Sequence, residues 1–260
     1  MRATRVVVPL AVIVAACGLG LEGTGPDPST PLSFEGGAGD DAGSDAATPG
    51  FCERARAADP TVRFCADFDD PSATAPFGFT VEDTVPTGAF GLGPSPFPGE
   101  ARSGAVQVDL VDGSGSRTQR LRAKVVDFPR SVTTRIIADV DVMVASTSTL
   151  GYFVIADLEA LGQGCATDYR VAVQPDGMHV GATVVPVKPE TAVHVRLTSE
   201  IVRGKTSTFS ATIGDTSVAN KGIFVGDACD TGWFDVGAFF TSTENAHASV
   251  RFDHVVVRVM

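Results

Sequence analysis

The sequence predicts an all-β protein, an antiparallel sandwich or jelly roll of about a dozen strands. Three observations carry that prediction. Apolar residues recur with a period of two over most of the chain beyond residue 50, turn signals punctuate these runs, and no long apolar pattern of helical period follows the N-terminal segment.

The first element is an export signal. Arg2 and Arg5 form a basic head, and Val6 to Ala16 form an apolar run of signal-peptide length. That run is far short of the ~20 residues that span a bilayer. It ends Val14-Ala15-Ala16-Cys17, which resembles the lipobox of bacterial lipoproteins. The resemblance implies removal of residues 1–16, acylation of Cys17 and anchoring in the cell envelope. Gly18 follows where an Asp would signal retention, which implies the outer membrane.

Residues 17–50 form the second element. Stretches such as PDPSTP and GGAGDDAGSDAATPG hold too little apolar surface to offset the entropy of ordering. They predict a tether with a reach of order 30 Å.

Residues 51–260 form one β-domain. It opens with ERARAAD, at most a short turn of helix. In TTRIIADVDVMV, Ile136, Ala138, Val140 and Val142 share one face, with Arg135, Asp139 and Asp141 opposite. In AVHVRLTSEIV, Val193, Val195 and Leu197 oppose His194, Arg196 and Thr198. Turns fall at Pro175-Asp176-Gly177, Arg203-Gly204-Lys205 and Gly214-Asp215, the first being the clearest hairpin.

Charge and cysteines narrow the chemistry. The net charge is −11, and losing Arg2 and Arg5 with the signal takes it to −13. No basic cluster remains to recognise nucleic acid or anionic lipid, so the anchor is the membrane link. With Cys17 lipidated, Cys52, Cys65, Cys165 and Cys229 make an even set that reads as disulfides in an exported chain. Four cysteines allow three connectivities. The cheapest pairs Cys52 with Cys65 and Cys165 with Cys229. No C-x-x-C spacing or neighbouring histidine favours zinc.

The domain begins VRFCADFDD and closes ASVRFDHVVVRV, and between them lies TAVHVRLTSEIVRGKTSTFSATIGDTSVA. These stretches resemble concanavalin A-like jelly rolls, the superfamily of LamG-like modules, legume lectins and laminarinase- or lichenase-type glycoside hydrolases. The resemblance implies that the first and last strands pair. In the hydrolase branch, Glu-x-Asp-x-Glu on a central strand brings two carboxylates to one glycosidic bond. By strand order the matching segment is TDYRVAVQ, which offers Tyr169, Val171 and Val173, or Asp168, Arg170 and Ala172. Neither set supplies two carboxylates, and no Glu-x-Asp occurs in the chain. Asp139 and Asp141 lie on another strand and read as a solvated sheet face.

Lyases of related folds use Arg, Gln, His and Tyr to neutralise a uronate and move a proton. Tyr169, Arg170 and Gln174 on one strand and His194 and Arg196 on another have those identities without a lyase spacing. Gly-x-Ser-x-Gly, His-Glu-x-x-His and phosphate-binding loops are absent. The histidines His179, His194, His247 and His254 include no pair at ligand spacing on one strand, and Trp233 reads as a core or rim residue.

The laminarinase- and lichenase-type branch also implies a structural calcium joining the first and last strands. Its matching donors are the carbonyls of Asp67 and Gly104 and the carboxylate of Asp253, hard oxygens suited to that ion. The resulting expectation is a lipid-anchored envelope protein whose non-catalytic jelly roll binds glycan or a protein partner through Arg170, Gln174, His194 and Arg196. The alternatives are a carbohydrate-active hydrolase or lyase and a purely structural envelope protein.

Overall fold

The structure, a computed structural model, describes residues 50–68, 78–83, 89–94, 96–97, 104–110, 118–147, 153–240 and 248–260. Cys17, the expected signal and the expected tether up to residue 49 lie outside the described residues. No helix among the described residues is long and apolar enough to cross a membrane.

A helix, α1 (Phe51–Ala58), opens the described domain and is longer than the single turn expected. Fifteen strands follow among the described residues. They are β1 (Val62–Ala66), β2 (Thr80–Asp83), β3 (Ala89–Pro94), β4 (Gly104–Leu110), β5 (Thr118–Asp127), β6 (Thr134–Thr147), β7 (Phe153–Gly162) and β8 (Cys165–Gln174). The rest are β9 (Gly177–Val180), β10 (Thr183–Val185), β11 (Ala192–Ile201), β12 (Lys205–Ile213), β13 (Thr216–Val225), β14 (Cys229–Phe240) and β15 (Ala248–Val259).

They form two antiparallel sheets. One has the order β13-β12-β11-β6-β15-β4-β3, with β1 also paired to β15; the other has the order β10-β9-β8-β7-β14-β5-β2. The three turn signals sit where the sequence places them. Gln174 faces Gly177 and Ile213 faces Thr216, while Gly204 takes the left-handed φ of 71° that a Cβ would disfavour.

Period-two patterning builds the core. Ile136, Ala138, Val140 and Val142 of β6 point inward at 1 % exposure or less, toward Phe234 and Val236 of the other sheet within the same apolar cluster. Tyr169 of β8 and Phe209 of β12 bridge the layers with ring centroids 5.3 Å apart. Two disulfides staple the domain: Cys52–Cys65 holds α1 to β1, and Cys165–Cys229 ties β8 to β14 across the end of β7, with Cα separations of 5.6 and 5.3 Å. Such bridges persist in exported, oxidising surroundings.

Two irregularities change which residues face outward. In β7 the pairing slips between Val154 and Ala156, so Phe153 and Ile155 face the core and then Ala156, Leu158 and Ala160 do. Asp157 and Glu159 are thereby turned to the outer face. In β15 the pairing slips between Asp253 and Val256, and His254 takes a φ of 49°. Inward positions change there from Val250 and Phe252 to Val255 and Val257.

Candidate functional site

The outer face of the seven-stranded sheet carries a row of charges across four strands. Arg170 of β8 sits opposite Asp157 of β7, Asp157 opposite Asp235 of β14, and Asp235 opposite Arg122 of β5. One pleat along, Asp168, Glu159, Trp233 and Lys124 are aligned in the same way. The central strand is therefore β7, and the segment TDYRVAVQ expected there is β8, one place nearer the edge. An Asp-x-Glu pair, Asp157 and Glu159, occupies the centre.

These carboxylates are gripped by arginines. Arg120 Nη1 donates to Glu159 Oε1 at 3.1 Å and to Asp235 Oδ2 at 3.0 Å. Arg122 donates through Nε to Asp235 Oδ1 at 3.1 Å and through Nη2 to Glu159 Oε2. All four carboxylate oxygens thus accept a guanidinium proton. Arg122 also lies over the Trp233 ring, 5.0 Å from its centroid, which places that tryptophan on the outer face.

Burial dominates the electrostatics. It pushes the Asp235 carboxyl up to about 7, reinforced by Glu159 and opposed by Arg122 and Arg120. Burial also raises Asp157 well above the usual carboxylate range, with Glu159 and Asp168 adding like charge. Its Oδ2 accepts from Arg170 Nε at 3.2 Å, and its buried Oδ1 has no hydrogen-bond partner among the described residues.

Beside this row a cavity of about 330 Å³ opens between β8, β9 and the edge strand β13. Asp168, Arg170, Ala172, Gln174, His179 and Lys221 line it, together with Tyr169, Gly181 and Ile223. Arg170 is held by both Asp157 and Asp168. His179 pairs with Asp176 at 2.6 Å, a bond that holds the Asp176 carboxyl low.

The four expected ligand residues do not form one face. Arg170 and Gln174 line this cavity, whereas His194 and Arg196 lie on the outer face of the other sheet. Each pair alternates correctly on its own strand, but β8 and β11 belong to different layers. Tyr169 points into the core at 4 % exposure, where burial pushes its hydroxyl up to about 12.

Asp139 and Asp141 are not a solvated face either. Asp139 is 5 % exposed and accepts from His194, Arg196 and Arg258. Asp141 meets His194 Nδ1 at 2.8 Å and His254 Nδ1 at 2.9 Å. Burial works against them, yet hydrogen bonds from the histidines hold Asp141 down to about 2, and those from His194 and Arg196 lower Asp139. The two carboxylates raise His194 to about 9. Arg258 extends the network to Asp59 beyond α1, and Phe51 packs on His254 at 4.6 Å.

The expected metal donors belong to β15 and its two neighbours on one edge. That strand pairs with β4 over Ala248–Phe252 and with β1 over Val255–Arg258, so both neighbours share one edge and meet at Asp253–His254. Gly104 opens β4, and Asp67 follows the end of β1. Asp253 is fully buried, with Oδ1 accepting the His254 amide at 2.8 Å; the Asp67 carboxylate accepts the Cys52 amide at 3.0 Å. Among the described residues no three His, Cys, Asp or Glu side chains are grouped around a metal. A cation at this junction would rest on backbone oxygens and Asp253.

No protein-family model and no curated protein matches the chain. Among solved structures it is similar to an endo-β-1,4-glucuronan lyase from the fungus Trichoderma reesei, with a TM-score of 0.55 and 12 % identity over 76 % of this chain and 95 % of that one. The fold is a jelly roll. Two more distant likenesses are the cellulose-induced protein Cip1, at a TM-score of 0.49, 11 % identity and coverage of 74 % and 96 %, and the alginate lyase Aly36B, at 0.42, 12 %, 59 % and 80 %. At such identities the likeness concerns the jelly roll's architecture, not its chemistry.

Proposed function

We propose that the chain is an envelope lipoprotein, anchored through Cys17, whose jelly roll binds glycan in the cavity between β8, β9 and β13. The observation that carries this reading is the cavity itself. It is a recess of ligand size, with donors and acceptors from Arg170, Gln174, His179 and Lys221 set among the apolar Ala172, Gly181 and Ile223. The neighbouring carboxylates argue for binding over hydrolysis. Glu159 and Asp235 accept a guanidinium hydrogen bond on every oxygen from Arg120 and Arg122, which is the pattern of a structural ion-pair network.

A glycan array probed with the purified full chain tests the proposal. Binding that Gln174→Ala and His179→Ala both weaken, with circular dichroism unchanged, is the expected outcome. No retained glycan, or a ligand indifferent to both variants, refutes it. One observation favours a lyase as the second reading: Arg170, Gln174 and His179 converge on one cavity. Incubation with polyuronates and measurement of the ultraviolet absorbance of an unsaturated product separates the two readings.

A calcium ion joining β1, β4 and β15 would use the carbonyls of Asp67 and Gly104 and the carboxylate of Asp253. The donor chemistry fits: these are hard oxygens, and a buried carboxylate beside a bulge gains most from a bound cation. Its contribution would be structural, fastening the end of β1 to the start of β4. The anchor has its own test, because Cys17→Ser should move the protein from the membrane to the soluble fraction.

A further inference from the structure

Building on the glycan-binding reading, we propose that the cavity continues into a cleft for a linear glycan bearing acidic substituents. Lys221 is its central cation and Phe224 a stacking platform at one end. A second, more open depression of about 500 Å³ lies along the same two strands, lined by Thr167, Asp168, Lys221, Ile223 and Phe224 among others. It shares Asp168, Lys221 and Ile223 with the cavity, so the two are continuous. The β8 wall runs from Gln174 to Ala166, about 26 Å of extended backbone at ~3.3 Å per residue. That length suits several pyranose units in a row and exceeds what one sugar can fill.

Phe224 is 63 % exposed on a terminal strand of its sheet. A single exposed aromatic is ordinary on a surface, but the backbone that carries this one is anchored. Its carbonyl accepts the Thr167 hydroxyl at 3.4 Å, and the Cys165–Cys229 disulfide lies next to Ala166. Gly226 passes so close that a Cβ there would meet Cys165 Sγ at 3.1 Å. The backbone is thereby held against β8, leaving the ring at the mouth of the groove as an apolar plane for the C–H face of a pyranose.

Charge selects the ligand further. Arg170 is already engaged by Asp157 and Asp168, whereas Lys221 has no acidic partner among the described residues. An exposed ammonium in mid-groove is therefore the group available to a carboxylate or sulfate on the glycan.

Isothermal titration of the full chain with oligoglucuronates and neutral cello-oligosaccharides, from disaccharide to hexasaccharide, tests the cleft. The acidic series should tighten with length. Phe224→Ala should weaken the acidic hexasaccharide about tenfold and leave the disaccharide unchanged, and Lys221→Gln should abolish the preference for the acidic series. Length-independent binding that is indifferent to Phe224→Ala but sensitive to Gln174→Ala overturns the cleft and leaves the glycan reading standing. No binding by either series, on a chain that also retains nothing on the array, overturns both. A dimer in sedimentation that Phe224→Ala dissolves, without length dependence, assigns this edge to a second copy and likewise overturns the cleft.

Discussion

The charge network on the outer face of the eight-stranded sheet should make stability pH-dependent between about pH 6.5 and pH 9. His194 donates to Asp139 and Asp141, and its pKa rises from 6.5 to about 9. A histidine that binds its proton more tightly in the folded state stabilises it fully below pH 6.5. That contribution is lost as pH rises through about 9. At about 1.36 kcal/mol per unit, the whole shift would be worth about 3.4 kcal/mol. The side chain is 47 % exposed, so solvent screening reduces this to about 1 to 2 kcal/mol. Charges from several elements face the ring: Asp139 and Asp141 from β6, Arg196 from β11, and His254 and Arg258 from β15, with Asp59 beyond α1 joined through Arg258. Asp235, raised to about 7, also loses stabilisation with rising pH, but mainly between about pH 4 and pH 7. Urea unfolding of wild type and His194→Gln across pH 6 to 10 separates the two. The wild-type advantage should shrink by about 1 to 2 kcal/mol over that interval. Parallel profiles would refute the reasoning, because the imidazolium would then owe nothing to the two aspartates.

The other predictions concern the staples, the metal and the buried charges. Replacing Cys165 and Cys229 by Ser opens a loop of 64 residues and should cost about 4 kcal/mol, against about 3 kcal/mol for the 13-residue loop of Cys52–Cys65, both read from denaturant midpoints. If calcium sits at the β1–β4–β15 junction, chelator lowers Tm, and Asp253→Asn removes that sensitivity; a Tm indifferent to chelator and to added calcium refutes the site. Arg122→Ala should destabilise by about 3 to 5 kcal/mol, since Asp235 is fully buried and would lose one of its two guanidinium partners. A loss below about 1 kcal/mol would mean that water reaches the carboxylate.

Much of the fold was legible because both sheets are half-buried and therefore alternate. The apolar residues of β6 and β11 alone reveal the inward faces of those strands, and composition marks the turns at Gly177, Gly204 and Gly214. Pairing of the first strand with the last is what the resemblance to concanavalin A-like jelly rolls implies, and β1 does run against β15. What the alternation could not reveal was which outer face each strand shares. Arg170 and His194 look equivalent along the chain, yet they sit on opposite sides of the sandwich because β8 and β11 enter different layers.

The central charge pair is hidden in the sequence for a more local reason. In FVIADLEALG the slip between Val154 and Ala156 puts two core residues next to each other, so the segment reads as a nearly continuous apolar run. An Asp and a Glu inside such a run have no evident face until the bulge is known. Yet a signal was present: β7 holds Asp157 and Glu159, and β5 holds Arg120 and Arg122, two charge pairs with the same spacing and opposite sign. In an antiparallel sheet such pairs compensate each other only if they lie on one face within reach, and here β14 brings Asp235 between them. The arrangement also separates the two functional readings. Two carboxylates at the centre of a jelly-roll sheet could do acid–base work, provided their lone pairs face a ligand. Arg120 and Arg122 each bridge Glu159 and Asp235 and hold those two carboxylates in an ion-pair network; in the glycan-binding reading the ligand docks beside it, where Gln174, His179 and Lys221 line the cavity.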